Sequence, residues 1–215
     1  MLLAAGCRRC IRSTATLLRK ALHKADKGRW MRADSFCPEW EERARTIARL
    51  VPKGARVIEF GAGLRQLQSY LDPSCTYVAS DLISRGQDTL VLDLERRPLP
   101  ELPAERFDVA IFAGVLEYVS DVPRVVSWIS KYVTTCLLSY ECAPASGGYG
   151  RLRQRWYRAE LGWVNSHTEE EIKKLFTTNG FVCVLQTLWG APPDSEPIFM
   201  FSRALPAGFI GAGEC

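Results

Sequence analysis

The sequence predicts an α/β fold: a doubly wound, mostly parallel sheet of about seven strands that closes with a C-terminal antiparallel hairpin. Short apolar runs alternate with helical patterns along most of the chain, the signature of repeated strand and helix layers. The first run ends in a glycine turn, Glu59-Phe60-Gly61-Ala62-Gly63. Near the C-terminus two apolar runs flank Trp189–Pro197, whose adjacent prolines and Asp194 read as a hairpin loop. At 215 residues and 47% hydrophobic content, the chain can bury one full core as a single unit.

The elements follow in order. A helix is expected around residues 38–50, then a first strand at Arg56–Phe60, a glycine turn and a helix over residues 64–70. A second strand at residues 76–80 and a short third near Leu90 follow. The intervening residues 82–88 are too few for a normal crossover helix, so that helix is expected to be missing or reduced to one turn. The fourth strand is residues 107–112, followed by a helix at 122–131 and a fifth strand at 133–139. Thr168 caps a helix at 169–179, with Glu171 completing a capping box and Gly180 as its stop. Residues 181–188 and 198–203 form the hairpin.

The chemistry begins at Val57–Gly63. A buried strand ending in Glu-x-Gly-x-Gly lets the backbone turn sharply and approach a ligand at the carboxyl end of a parallel sheet. A dinucleotide site requires a third glycine for close helix packing beside a pyrophosphate, and that position is Gln66. A methionine-bearing adenosyl cofactor, S-adenosylmethionine, fits better. The second strand ends at Asp81, some twenty residues on, where a carboxylate can accept both ribose hydroxyls. Asp93 closes the third strand and is placed to accept from the adenine amino group, with Leu82 or Leu94 against the ring. Each aspartate also has a plainer reading, as a turn residue at a strand end. Phe107–Asp121 reads as a buried strand, a small-residue corner at Ala113-Gly114 and a short helical turn.

With these segments in order, the chain resembles the class I S-adenosylmethionine-dependent methyltransferases, in particular their small type 11 and MetW-like branch. The resemblance runs from about Glu39 to Arg203 and is most specific at Val57–Gly63 and Phe107–Asp121. It implies a Rossmann-like methyltransferase fold. It also implies that Glu59, Gly61, Ala62 and Gly63 hold the methionine part of the cofactor, Asp81 the ribose and Asp93 the adenine. The family's usual third glycine, two places after Gly63, is Arg65 here, and its frequent Leu-Glu-His is Leu116-Glu117-Tyr118. The Asn/Asp-Pro-Pro-Tyr/Phe sequence with which resembling families grip a planar amine is replaced by Ala113-Gly114-Val115, which disfavours methylation of nucleobase amines.

A methyl sulfonium is already activated, so proximity and removal of an acceptor proton suffice for transfer. The chain has two histidines, His23 and His167. His167 is the first candidate base, its plainer reading being a residue that opens the penultimate helix and bonds the local backbone. Glu141 is the second candidate, and Tyr118 with Glu117 the third. Residues 141–166 form an excursion over the cofactor. Within it Arg153 and Arg155 beside Trp156 and Tyr157 can clamp an anionic group and stack on a planar one, or form the solvated face of a lid helix. The expected function is methyl transfer to a small-molecule acceptor such as a sugar or metabolite hydroxyl. The alternatives are an NAD-dependent oxidoreductase and a non-catalytic cofactor-binding scaffold.

Charge is uneven. Residues 1–32 carry nine Lys/Arg against Asp26, a net +8, so the remaining residues sum to −4 within the total of +4. This reads as a basic tail or helix (1–32) ahead of a cofactor-binding domain (33–215), dispensable for catalysis. The tail has the composition of a mitochondrial transit peptide, of a basic helix resting on an anionic membrane surface, or of a solvated helix. A cytoplasmic location is expected, with the mitochondrial matrix as the alternative. The acidic remainder disfavours nucleic acid. Only Cys7 and Cys10 have ligand spacing, and one such pair cannot make a four-ligand zinc site. No metal is expected, and the other six cysteines read as free thiols.

Overall fold

The structure is a computed structural model that describes residues 2–102, 106–145, 149–192 and 195–203, with backbone alone for 2–11 and 149–151. The Cys7 and Cys10 thiols, Cys215 and the Pro193-Asp194 tip of the hairpin lie outside the described residues. Seven strands form one sheet: β1 (Arg56–Phe60), β2 (Thr76–Asp81), β3 (Leu90–Val91), β4 (Val109–Ala113), β5 (Thr135–Ser139), β6 (Val182–Trp189) and β7 (Glu196–Ser202). Their order is β3-β2-β1-β4-β5-β7-β6. All neighbours are parallel except at β7, which runs antiparallel to both β5 and β6.

Side-chain alternation makes the sheet two-faced. Ala110, Phe112, Cys136, Leu138, Phe199 and Phe201 pack into one core, and Val109, Ile111, Leu137, Ile198 and Met200 into the other. Among the described residues six helices accompany the sheet: α1 (Leu2–Ala21), α2 (Lys27–Trp30), α3 (Trp40–Ala48), α4 (Val122–Ile129), α5 (Tyr149–Glu160) and α6 (Glu169–Thr177). Val122, Val125, Val126 and Ile129 of α4 and Ile172 and Phe176 of α6 cover the first face. Ala44, Ile47 and Ala48 of α3 cover the second. Parallel ring pairs, Phe60 with Phe112 at 4.7 Å and Phe176 with Phe201 at 4.2 Å, fill the first core. The capping box on α6 forms as expected from Thr168 and Glu171.

Two expectations change. The helix over 64–70 is reduced to a 3₁₀ turn, Leu67–Tyr70, because Arg65 sits at φ 58°, outside right-handed helical geometry. The basic segment 1–32 is also not a detached tail. α1 packs along α5, burying Ser13 and Thr16, and Arg29 donates to the Leu161 carbonyl. Charge composition cannot reveal this, because a helix may bury a stripe of small polar residues while its Lys and Arg stay in water. The missing crossover between β2 and β3 is as expected: residues 82–89 contain no helix.

Asn165 fastens the excursion after β5 to the loop after β4. Its side-chain amide donates to the carbonyls of Leu116 (2.5 Å) and Val119 (2.9 Å), and its oxygen accepts from the Tyr140 hydroxyl. Replacing Asn165 with Leu removes three hydrogen bonds, although the Leu116 carbonyl still accepts from the Val119 N–H and the Tyr140 hydroxyl from the His167 N–H. It should lower unfolding free energy by about 2–4 kcal/mol, read by urea denaturation.

Candidate active site

A cleft opens at the carboxyl ends of β1, β2 and β4. From β1 and its turn it takes Glu59, Gly61, Ala62 and Gly63, and from β2 Asp81 with Leu82 beyond it. Asp93 and Leu94 line it after β3, and Ala113 and Gly114 at the end of β4. Every residue that the sequence assigns to the cofactor therefore meets in one place.

The glycines are required by space as well as by backbone. Gly61 and Gly63 have φ 65° and 50°. A Cβ on Gly61 would meet Val115 at 2.6 Å, and one on Gly63 would meet Phe36 at 2.8 Å. The Asp81 carboxylate accepts from the backbone N–H of Gly63 (2.8 Å) and of Ile83 (2.9 Å). Arg65 adopts the left-handed conformation that a glycine would take freely. A fork onto Asp88 (2.6 and 2.7 Å) and a bond to Thr89 (2.8 Å) hold it there. Asp93 accepts from the N–H of Glu95 (3.0 Å), so its turn role is real while its side chain still borders the cleft.

Sequence reasoning missed the wall opposite the sheet. Trp30, Phe36, Trp40 and Arg43 border the cleft, with Lys24 and Asp26 at its rim. Arg85 ties this wall down: its guanidinium donates to the Trp30 carbonyl (2.6 Å), covers the Phe36 ring at 4.8 Å and lies 3.6 Å from Asp81. Trp30 meets Tyr118 edge-on at 5.0 Å, and Phe36 meets Trp40 at 6.2 Å. The one available signal was the spacing of Trp30, Phe36 and Trp40, three large aromatics in an otherwise polar stretch.

Two buried acids and one buried arginine set the electrostatics. Burial raises the Glu59 carboxyl to about 7, against the pull of a hydrogen bond from Tyr77 and of the Arg43 charge. Burial likewise raises Glu117 to about 7, although it accepts from the Glu141 N–H at 3.0 Å. Desolvation lowers the Arg43 guanidinium from its ordinary value, opposed by Glu117, Glu196, Tyr118 and Glu59. Its Nε has no hydrogen-bond partner among the described residues, and its guanidinium occupies the space a Cβ on Gly114 would need.

The catalytic candidates separate. Tyr118 borders the cleft. His167 lies in a different depression, 3.7 Å from Glu171, and Glu141 faces the buried Arg158 at 3.9 Å. Neither His167 nor Glu141 borders the cofactor cleft, because the excursion folds back on itself through Asn165 and Arg158 rather than hanging open above it. Arg153, Arg155, Trp156 and Tyr157 are exposed on α5, and Arg155 lines the same depression as His167. Among the described residues no cluster of ligands suits a metal ion, and no helix is long and apolar enough to cross a membrane.

A family profile described as a methyltransferase domain matches residues 29–186. The chain belongs to the methyltransferase-domain family. Its fold is the class I fold of solved methyltransferases, among them ones that hold S-adenosylmethionine or its demethylated product. The match begins at Arg29, inside the segment that charge alone set apart. A ubiquinone biosynthesis O-methyltransferase of Rhodopseudomonas palustris (strain BisB5) is 29% identical over 101 residues, 42% of this chain and 39% of that protein. The chain thus aligns with about two fifths of the curated relatives it matches. Among solved structures, magnesium protoporphyrin IX methyltransferase of Synechocystis PCC 6803 with bound S-adenosylmethionine is 16% identical. The similarity covers 90% of this chain and 97% of that one, at TM-score 0.54. A Burkholderia thailandensis 1,6-didemethyltoxoflavin-N1-methyltransferase is 18% identical over 75% of this chain and 77% of its own, at TM-score 0.56.

The cleft fits S-adenosylmethionine by its own chemistry. Its glycine cradle admits no Cβ, Arg43 offers a buried guanidinium whose Nε has no hydrogen-bond partner among the described residues, and Glu59 and Asp81 offer acceptors to amino and hydroxyl groups. Because Glu59 and Glu117 hold protons more tightly when folded, their contribution to stability is complete below their unfolded values. It is lost as pH rises through about 7. The cofactor-free protein should therefore lose roughly 2–3 kcal/mol per pH unit between about pH 5 and 7. Denaturant titrations across that range check this, and Glu59→Gln should flatten the slope.

Proposed function

We propose that this chain methylates a hydroxyl of a small, flat acceptor received among Trp30, Phe36, Trp40 and Tyr118. The observation that carries this reading is the aromatic wall itself, four rings bordering the cofactor cleft on the side away from the sheet. Aromatic rings stack on, or meet edge-on, other planar rings with about 0.5–1.5 kcal/mol beyond area burial. A hydroxyl is favoured because the curated relatives are described as O-methyltransferases.

In this reading Glu59 accepts from the amino group of the methionine part, Arg43 pairs with its carboxylate, and Asp81 accepts from the ribose hydroxyls while holding Gly63. Asp93 takes the adenine amino group, with Leu82 and Leu94 against the ring. Gly114 and Ala113 keep the β4 corner low enough for close approach. Bound there, S-adenosylmethionine supplies an activated methyl group. Tyr118 is kept protonated by burial, which raises its phenol above the ordinary value, so it donates a hydrogen bond that orients the acceptor. The described groups that border the cleft include no histidine. Transfer then rests on orientation and on an acceptor acidic enough to release its proton to solvent.

Radiolabelled transfer to a panel of phenols, hydroxyquinones and sugar alcohols tests the reading, and turnover of sugars alone would overturn it. Arg43→Met should weaken S-adenosylmethionine about 10- to 100-fold in calorimetry. Tyr118→Phe should lower kcat/KM for the acceptor about tenfold with cofactor affinity unchanged, whereas His167→Ala should leave kcat within about threefold. Binding of NAD in place of S-adenosylmethionine would return the oxidoreductase alternative.

A further inference from the structure

A second depression of about 680 Å³ lies between α1, α5 and the start of α6, separated from the cofactor cleft by the segment carrying Ser120 and by Asn165. Lys20 reaches it from α1, Arg155 from α5, and His167 from the turn before α6. Lys20 is half-buried, and Arg155 is close enough to act on it as a like charge. Lys20 and Arg158 in turn act as cations on His167.

The two acids on this wall are committed elsewhere. Asp121 caps α4 through the Arg124 N–H (3.2 Å) and pairs with Arg97 at 2.9 Å. Glu171 accepts from the Thr168 N–H (2.9 Å) in the α6 capping box and stands 3.7 Å from His167. Among the described residues no carboxylate is within ion-pair distance of Lys20 or Arg155. Two cations brought together from different helices, neither paired with a carboxylate among the described residues, form a site complementary to an anion, while the adjoining His167 faces Glu171.

We propose that this depression binds an oxyanion, a carboxylate or phosphate group, between Lys20 and Arg155, with His167 as a third donor. The site adjoins the cofactor cleft through the loop at residues 118–121, so the group belongs either to the far end of an acceptor or to a separate small effector. The inference does not rest on the aromatic acceptor proposed above.

Inorganic phosphate and acetate, titrated into the full chain saturated with S-adenosylhomocysteine, test it by calorimetry and by the ring signals of the two histidines. Phosphate should bind and move the His167 signals, identified by their loss in His167→Gln, but not those of His23. Lys20→Gln with Arg155→Gln should weaken phosphate at least tenfold, Lys20→Arg should stay within threefold, and cofactor affinity should hold in all three. Phosphate that competes kinetically with an acceptor assigns the site to the acceptor's own acid group. Phosphate that binds without competing assigns it to an effector. Absence of binding, unmoved His167 signals, or unchanged affinity in the double variant would overturn the proposal. Loss of cofactor binding in the parent chain would instead count against the active-site reading.

Discussion

The Asp81 carboxylate, buried at the end of the second strand, holds the active site together. It accepts the Gly63 N–H across the sheet and the Ile83 N–H of its own turn, and it faces the Arg85 guanidinium. Arg85 in turn grips the Trp30 carbonyl and the Phe36 ring. One charged side chain thus fixes the glycine turn, the loop after β2 and, through its arginine, the aromatic wall. Charge-assisted bonds in a buried setting are the strong kind, and here each has a partner that depends on it.

Around that anchor, two acids sit within the field of one buried cation. Glu59 and Glu117 would each be strongly disfavoured as anions without Arg43, and Arg43 would be costly without them. Burial pushes both carboxyls up and the guanidinium down, and the opposite charges of the three groups pull each of them back. A zwitterionic amino acid moiety brings one charge of each sign, and so enters this field without a net change.

Much of the sheet was legible in the sequence because strands announce themselves by period and glycine turns by composition. All seven strands lie within two residues of their expected bounds, and Gly61 and Gly63 prove to be positions where a side chain would collide. What was not legible is long-range. Arg43 read as one basic residue on a short polar helix, and nothing local tells that it turns inward. The N-terminal segment read as separate because charge records what faces water, whereas Ser13, Thr16 and Trp30 record what faces protein. His167 was drawn toward the reaction by topology, but side-chain bonds through Asn165 and Arg158 redirect the excursion, and such bonds leave no periodic trace.

Arg65 ends with a different kind of dependence. Where a glycine would relax into the left-handed region at no steric cost, Arg65 is kept there by a fork to Asp88, a residue that is 73% exposed. An interaction so open to solvent is screened by dissolved ions, while the backbone strain beneath it is not. Dissolved salt therefore weakens one of the two contacts that hold the turn after Gly63, a dependence that a third glycine would not have conferred.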